Sequence, residues 1–204
     1  MNTKAMYNLS YGLFVLTARG DKDNGCIINT VTQVTSDPNQ ITIAVNKANL
    51  TRDLVAETKK FTVSILSEAA DFSLFQRFGF QSGRSADKFA GFAAVKRVAS
   101  DALAVTEGTN GYISAYVTQA IDLGTHTLFL ASVTDMDVWS DTPSATYAYY
   151  QSHIKPKPAP RPATGRTIWR CKVCGYEYEG ETLPEGFICP ICKHPASDFE
   201  KIQG

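Results

Sequence analysis

The sequence lacks any long apolar run: nowhere do about 18 or more apolar residues, the length of a membrane-spanning helix, follow one another. The N-terminal segment also lacks a continuous apolar stretch after its basic residue and a small-residue cleavage site, which together mark a secretory signal peptide. These absences predict a soluble, cytoplasmic protein with no membrane partner.

Neither sign of charge is in excess, because Lys and Arg together number 20 and Asp and Glu together also number 20. A balanced chain gives no electrostatic reason to expect nucleic acid or an acidic membrane as a partner. Two glycine motifs are missing as well: G-x-G-x-x-G after a strand, and G-x-x-x-x-G-K-[ST]. Their absence argues against a Rossmann dinucleotide site and against a P-loop.

Cysteine is scarce in most of the chain, where Cys26 stands alone, whereas the other four of the five cysteines fall within 22 residues. This distribution is typical of a metal site in a reducing compartment rather than of a disulfide framework. Cys26 lies in the apolar stretch GCIINT, and we predict that it is a small core residue.

The first three quarters of the chain contain many short segments rich in Val, Ile, Thr and aromatic residues, flanked by Gly, Asp, Asn or Pro. Such segments are typical of strands, and their number predicts a barrel or a sandwich. Helices are predicted over 50–60, with Thr51 as a candidate cap, and over 71–78 and 146–153. The predicted strands are LFVLTA, GCIINT, ITIAVN, FTVSIL, YISAYV and HTLFLASV.

A length of 204 residues accommodates one full core and a small appended module. Residues 153–166, HIKPKPAPRPATGR, carry four prolines at alternate positions and therefore cannot form a helix or a central strand. We predict a first domain at 1–152, a linker at 153–166 and a small domain at 167–204. At ~3.1 Å per residue in polyproline geometry, the linker would reach roughly 40 Å and let the small domain move between docking sites.

The small domain contains two Cys-x-x-Cys pairs with 14 residues between them. Each pair places two thiolates on one loop, and two such loops complete the tetrahedral shell of a metal ion. So short a domain also needs a metal to fold well. The spacing alone fits a structural zinc ribbon nearly as well as an iron site. The predicted metal ligands are Cys171, Cys174, Cys189 and Cys192.

The residues around these cysteines resemble rubredoxin, in the form with a shortened loop between the pairs, over residues 168–202. Gly175 and Tyr176 follow the second cysteine, and Pro190 follows the third. The resemblance implies one iron ion held by four cysteine thiolates, which stores one electron and has no open position for substrate. It also makes His194 a surface residue and not a ligand. The predicted aromatic core around the site consists of Trp169, Tyr176, Phe187 and Phe199.

Amide and hydroxyl side chains cluster where two neighbouring strands of the first domain end. Backbone N–H groups, hydroxyls and one cation placed together can hold a phosphate and the polar edge of a flavin ring. Threonine-rich strands are common, so this pattern alone does not establish a flavin site. The residues are Asn29, Thr30, Thr32 and Gln33 after the first strand, and Asn46, Lys47 and Thr51 after the second.

The same stretch resembles the flavin reductase-like family, in which an N/S-x-V-x-S/Q strand precedes a turn that ends in proline, here Pro38. Gly124-Thr125-His126 running into TLFLASVTD, and the closing TYAYYQSHIK, agree with that family. The resemblance covers residues 5–154. It implies a mostly β fold, an FMN-binding split β-barrel with a few covering helices, that pairs as a homodimer.

The resemblance to this family also implies roles for individual residues. His126 is the candidate catalytic residue, expected beside the nicotinamide of NADH or NADPH. Arg84 and Lys88 are candidates for contacts with a phosphate or with the nicotinamide. The remaining expected FMN contacts are Asn29, Thr30, Val31 and Thr32 at the isoalloxazine ring and ribityl chain, and Asn46, Lys47 and Thr51 near the phosphate.

Fused to a rubredoxin, the barrel resembles the high-molecular-weight rubredoxins of anaerobic bacteria, which pass electrons to flavodiiron proteins. The resemblance implies that NAD(P)H or an upstream reductase reduces FMN, and that single electrons then pass to the iron. A flavodiiron-type O2 or NO reductase would accept them. Two alternatives stay open: a flavin reductase that releases reduced FMN to a monooxygenase, and a zinc-ribbon protein whose barrel binds flavin for sensing.

Overall fold

The structure is a computed structural model. Most of the predicted linker, from 157 to 166, and two predicted ligands, Cys174 and Cys192, lie outside the described residues. Within the described part of the chain, no helix is both long enough and apolar enough to cross a membrane. The described residues are 1–156, 167–173, 175–190 and 194–202.

All of the strands that the composition predicts are present in the first domain. Its strands are β1 (Phe14–Arg19), β2 (Asp23–Ile28), β3 (Thr32–Ser36), β4 (Asn39–Asn46), β5 (Lys60–Leu66), β6 (Val95–Arg97), β7 (Leu103–Val105), β8 (Thr109–Asp122) and β9 (His126–Val138). Among the described residues, seven of them form one sheet in the order β2-β1-β5-β8-β9-β4-β3, with antiparallel neighbours. The fold is therefore mostly β, as the sequence predicts.

Strand β1 separates two apolar layers, because successive side chains of a strand point to opposite faces of the sheet. Leu16 packs with Phe61 in one cluster, whereas Val15 packs with Phe78 in the other. Cys26 belongs to the first cluster and is buried, which confirms that it is a core residue. The sheet is thus covered on both faces around its centre.

The predicted helices are also present, as α1 (Leu50–Thr58), α2 (Phe72–Gly79) and α3 (Tyr147–Tyr149). Helix α3 continues as a π-helical turn over Tyr150–Ile154, and we call the combined stretch Tyr147–Ile154 the C-terminal helical segment. His153 and Ile154 were predicted to open the linker but belong to this segment. The backbone N–H of Lys155 closes it by donating to the carbonyl of Tyr150 at 2.8 Å.

The prediction that Thr51 caps α1 is wrong, since Asn49 is the N-cap residue. Thr51 lies inside the helix, and its buried hydroxyl donates to Oδ1 of Asn24 at 2.9 Å. Helix α2 is capped by Asp71, whose carboxylate accepts the backbone N–H of Ser73 at 2.9 Å. A side chain that has a partner in the interior is not available to cap a helix end.

Strand β3 and the pair β6–β7 were not predicted, because neither carries a long alternating pattern. Every residue of β3 is exposed, and β6 and β7 have three residues each. Strands β8 and β9 are longer than predicted, at 14 and 13 residues. The last five residues of β8 are all exposed, so burial no longer alternates there and pattern analysis misses this extension. They pair with the start of β9 and form the end of the β8–β9 hairpin.

The small domain contains, in its described part, a three-stranded sheet with β10 (Ile168–Cys171) between β11 (Glu177–Glu179) and β12 (Phe199–Ile202). The predicted aromatic core is confirmed. Phe187 packs edge-on against Phe199, with ring centroids 5.3 Å apart, and Trp169 and Tyr176 pack against the same cluster as Cys171 and Cys189. Little apolar area is buried in so small a core, which is consistent with a need for a metal.

Gly108 precedes β8 with a φ of +64°, and a Cβ there would lie 2.8 Å from Cδ1 of Leu74. We expect Gly108→Ala to lower the free energy of unfolding by about 2–4 kcal/mol, because a left-handed backbone and overpacking both cost free energy. Urea unfolding followed by circular dichroism measures this loss. The matched control is Gly91→Ala, since Gly91 has a φ of +67° but no described atom within 4 Å of its Cβ position. Equal losses in the two variants would contradict the role of the Leu74 contact.

Candidate flavin site and metal centre

The two cysteine loops of the small domain have the same backbone hydrogen bond. The N–H of Cys171 donates to the carbonyl of Tyr176 at 2.8 Å, and the N–H of Cys189 donates to the carbonyl of His194 at 2.8 Å. Each bond joins the first cysteine of a Cys-x-x-Cys pair to the residue five positions after it in the sequence. Both cysteines are almost completely buried, at 1% and 0% exposure. Two loops of one form, each presenting a buried thiol, fit a site built from paired thiolates.

Glycine is required at the turn of the first loop, because Gly175 has a φ of +81°. Its N–H donates to the carbonyl of Cys171 at 2.9 Å. His194 is exposed and its Nδ1 lies 2.7 Å from Oδ2 of Asp198, as expected of a surface residue. Cys174 and Cys192 complete the predicted ligand set, but they lie outside the described residues. The described residues alone contain no group of three or more potential metal ligands.

A cavity of about 540 Å³ opens beside the end of β2. Of the residues predicted to contact the flavin ring, Asn29 lines it. Ligand pockets typically have volumes of about 300–1,000 Å³, so the cavity is large enough for a flavin ring. The N-terminal segment and the C-terminal helical segment supply most of the wall, which strand patterns could not indicate. The other polar residues in the wall are Ser10, Tyr11, Thr146, Tyr147 and Gln151.

The residues after Asn29 connect this cavity to the end of β4. The hydroxyl of Thr30 donates to the carbonyl of Ala44 at 2.7 Å and accepts the N–H of Ala44 at 3.2 Å. Val31 packs against the apolar core, and Thr32 is exposed at the start of β3. The predicted ring and ribityl contacts therefore form one continuous strip of chain along the barrel.

Three of the other predicted site residues meet where β4 ends and β9 begins. Asn46 pairs with His126 across the two strands, and the N–H of Lys47 donates to the carbonyl of Thr125 at 3.0 Å. Nδ1 of His126 lies 2.9 Å from the hydroxyl of Thr125. The Lys47 ammonium donates to both carboxylate oxygens of Asp122 at 2.7 Å. This hydrogen bond from Lys47 is the main reason that the pKa of Asp122 is lowered.

Arg84 joins the same region through a carboxylate. Its guanidinium donates to Asp53 at 2.6 Å, and Arg52 donates both to Asp53 at 3.2 Å and to the hydroxyl of Thr127 at 2.9 Å. Partial burial acts to raise the pKa of Asp53, but the hydrogen bonds from Arg84 and then Arg52 outweigh it and lower that pKa. Lys47, Arg52 and Arg84 thus face Asp53 and Asp122, which leaves a net charge of +1 among these described side chains.

Sequence reasoning missed Arg52, Asp53 and Asp122. No sequence signal could have found them, because their partners lie up to 75 residues away along the chain. The excess of positive charge lies beside the start of α1, where the helix dipole also favours an anionic group such as a phosphate. We call the residues that run from Asn29 through Thr30 and Ala44 to Asn46, Lys47 and His126 the strip. It borders the cavity at Asn29 and the excess of positive charge at Lys47.

Thr51 and Lys88 do not join this site. The Lys88 side chain is buried, and its ammonium donates to the carbonyls of Gly25 at 2.8 Å and Phe78 at 3.0 Å. Burial lowers the pKa of Lys88, with a smaller opposing effect from Cys26. Thr51 is equally buried against Asn24. Both side chains satisfy polar groups of the interior, so the structure argues against a direct phosphate contact by either one.

Two family models match the chain. The flavin reductase-like domain matches residues 6–158. The rubredoxin-like domain of rubrerythrin matches residues 169–200. The first match covers most of the chain and includes the strip from Asn29 to His126, and the second spans all four predicted metal ligands.

The chain is 36% identical to the high molecular weight rubredoxin of Moorella thermoacetica, over 99% of this chain and 100% of that protein. It is 38% identical to the ferric-chelate reductase (NAD(P)H) of Archaeoglobus fulgidus, over 80% of this chain and 96% of that protein. The NADH:FAD oxidoreductase SgcE6 of Streptomyces globisporus has a similar fold, with a TM-score of 0.61 at 22% identity, covering 70% of this chain and 84% of that one. The chain therefore belongs to the high molecular weight rubredoxin family, in which a flavin reductase-like barrel is fused to a rubredoxin-like domain.

Proposed function

We propose that this chain is an electron relay that takes electrons from NADH or NADPH through FMN to an iron centre of four cysteine thiolates. From there they pass to a flavodiiron protein or a similar acceptor. The observation that carries the proposal is the presence in one chain of the strip from Asn29 to His126 and the two matched loops of Cys171 and Cys189. A pair of cofactor sites suits a relay better than a single-step reductase.

In this proposal, different parts of the strip contact different parts of FMN. Asn29 would contact the isoalloxazine ring in the cavity, with Thr30, Val31 and Thr32 along the ring edge and ribityl chain. Asn46, Lys47 and Arg84 would face the phosphate. The exposed pair between Lys47 and Asp122 contributes little to stability. A phosphate can therefore compete with Asp122 for the Lys47 ammonium.

His126 would lie beside the nicotinamide of the donor. It is half-buried at the start of β9, and its Nδ1 is paired with the Thr125 hydroxyl, which orients the ring. A histidine oriented in this way holds a proton donor or acceptor at a fixed place. Arg52, which donates to Thr127 beside His126, would supply positive charge for the phosphates of the dinucleotide.

The two cofactor sites differ in how many electrons they take. When bound, FMN accepts a hydride, which carries two electrons, and an iron held by four thiolates takes one electron at a time. Each hydride would therefore reduce the iron twice in succession, with one electron leaving for the acceptor after each reduction. Buried thiols at Cys171 and Cys189 would keep water from the centre.

The end of the β8–β9 hairpin supports a homodimer. Ile121 and Leu123 are exposed by 49% and 53% at its tip, where they flank Asp122. Exposed apolar side chains gathered at one place mark a contact surface. Because Asp122 pairs with Lys47, a second subunit seated on this tip would lie beside the proposed phosphate site.

A second candidate function is direct reduction of a soluble acceptor by the flavin. The similarity to a ferric-chelate reductase over 96% of that protein favours it. The part of this chain that matches the ferric-chelate reductase makes up 80% of this chain. In this case the rubredoxin-like domain would not be needed for turnover.

We expect Lys47→Met to weaken FMN binding by about tenfold, because it removes one charge-assisted hydrogen bond to the phosphate. Titration of the flavin-free protein, followed by flavin fluorescence, measures this. Riboflavin, which lacks the phosphate, should bind the variant and the wild type equally. Lys22→Met, which removes an exposed lysine from the turn before β2, is the matched control. An equal loss for riboflavin would contradict the assignment of Lys47 to the phosphate.

We expect Cys174→Ser to abolish iron binding and electron delivery to a flavodiiron protein while FMN stays bound. Iron and flavin per chain, and reduction of the acceptor by NADH and NADPH, are the measurements. Cys26→Ala, which removes a core cysteine, should keep its iron. Undiminished NAD(P)H-driven reduction of a ferric chelate by Cys174→Ser would favour the second candidate function. Zinc in place of iron in the wild type would rule out the relay.

We expect the double variant Ile121→Asp, Leu123→Asp to be monomeric, because two buried carboxylates at an interface are costly. Light scattering coupled to size-exclusion chromatography reports the mass. Ile188→Asp, which changes an exposed apolar residue of the small domain, should leave the dimer intact. A wild-type chain that is monomeric at all concentrations would refute this proposal.

A further inference from the structure

The C-terminal helical segment is anchored on the barrel. Tyr150 is buried against Phe75, with ring centroids 4.4 Å apart. The hydroxyl of Thr146 caps the segment by accepting the N–H of Tyr149 at 3.1 Å. The hydrogen bond from the Lys155 N–H to the Tyr150 carbonyl then fixes where the segment ends. Lys155 is therefore held at a defined place on the surface of the barrel.

The side chain of Lys155 contacts the small domain. Its ammonium donates to the carbonyl of Val173 at 3.0 Å in a half-buried position. Val173 lies between Cys171 and Cys174 in sequence, and its carbonyl belongs to the peptide bond that leads into Cys174. Hydrogen bonds from a charged donor are stronger than those between neutral groups. A cation of the barrel thus holds the loop that carries the first pair of predicted ligands.

Apolar contacts accompany this hydrogen bond. Phe80, at the end of α2, packs against the core of the small domain. The Val173 side chain lines a cavity of about 220 Å³ together with Phe75, Phe80 and Tyr150 of the barrel. The first cysteine loop therefore rests on the barrel next to the C-terminal helical segment.

Gln151 lies between the proposed flavin cavity and the cysteine loop. It lines the cavity of about 540 Å³ with Asn29 and Tyr147. It also lines a neighbouring cavity of about 260 Å³ with Cys171 and Gly175. One side chain therefore borders both cavities.

We propose that Lys155 is a positioning residue that fastens the first cysteine loop to the barrel, so that electrons cross from flavin to iron within one chain beside Tyr147 and Gln151. This inference rests on the proposed function. One electron moves per event: the reduced flavin loses it, and the ferric centre gains it and becomes ferrous. Over two such events the flavin also releases to solvent the proton that it gained with the hydride. The separation, the orientation and the difference in reduction potential of the two sites govern the rate.

The positive charge of Lys155 has a second consequence. Reduction adds a negative charge to the four-thiolate centre, and a cationic donor on the adjoining peptide stabilises that charge. Removal of the cation should therefore lower the reduction potential of the iron. A residue that served only to hold the fold together would not have this effect.

The test compares Lys155→Met with Lys201→Met in the full-length protein loaded with FMN and iron. Lys201 is an exposed lysine on β12, so its removal changes the net charge equally. After rapid mixing with NADH or NADPH, the rate of iron reduction in Lys155→Met should fall by about tenfold, because one charge-assisted hydrogen bond of the docked state is lost. Flavin reduction should keep its rate. Lys155→Arg, which retains a cationic donor, should keep the wild-type rate of iron reduction.

Spectroelectrochemistry of the same proteins separates positioning from folding. The iron potential should be lower in Lys155→Met and in Lys155→Gln than in Lys201→Met. Lys155→Gln keeps an N–H donor without the charge, so it should retain the compact shape of the wild type in small-angle scattering.

The outcomes distinguish this inference from the function on which it rests. If the wild type reduces its iron through the flavin, and Lys155→Met and Lys155→Gln match Lys201→Met in rate and potential, Lys155 has no positioning role and the relay stands. A rate of iron reduction that rises with protein concentration would also overturn the inference, because electrons would then cross between chains. If the wild-type iron is not reduced through the flavin at all, the relay itself is wrong.

Discussion

The antiparallel pairing of β4 with β9 is the contact on which the candidate flavin site depends. It places Asn46 opposite His126 and brings the Lys47 backbone against Thr125. The Thr30 hydroxyl binds the same strand from the other side, at Ala44. Because the side chains of a strand alternate between faces, a shift of one residue in this pairing would turn His126 away from its neighbours. The apolar core on β4 and β9 fixes the register and, with it, the site.

The polar residues of the barrel fall into two groups according to burial. The side chains of Lys88 and Thr51 donate hydrogen bonds to buried acceptors, because an unpaired polar group in the interior would cost free energy. Lys47 and Arg84 remain near the surface, where their carboxylate partners hold them weakly. Only groups of the second kind can exchange a protein partner for a phosphate. Burial thus separates the basic residues that are available to a ligand from those that are not.

The small domain depends on a different constraint, which is the shortage of apolar area in a short chain. Its described core consists of a few aromatic rings around Cys171 and Cys189. A metal supplies the stability that such a core lacks. Two residues of the barrel also contact this domain: the Lys155 ammonium binds the carbonyl of Val173, and Phe80 packs against the aromatic core. The first cysteine loop therefore depends on the barrel as well as on its own small core.

The sequence by itself determined six strands of the barrel (β1, β2, β4, β5, β8 and β9), the helices and the pairs of cysteines, because composition, alternation and Cys-x-x-Cys spacing are local properties. It also indicated Asn29, Lys47 and His126 through resemblance to a family. It could not place the Lys88 ammonium in the interior, nor join Arg84 and Arg52 through Asp53, nor set Lys155 against Val173. These contacts connect distant parts of the chain, and only the tertiary structure decided them, since the strand register and the seat of the small domain determine which side chains meet.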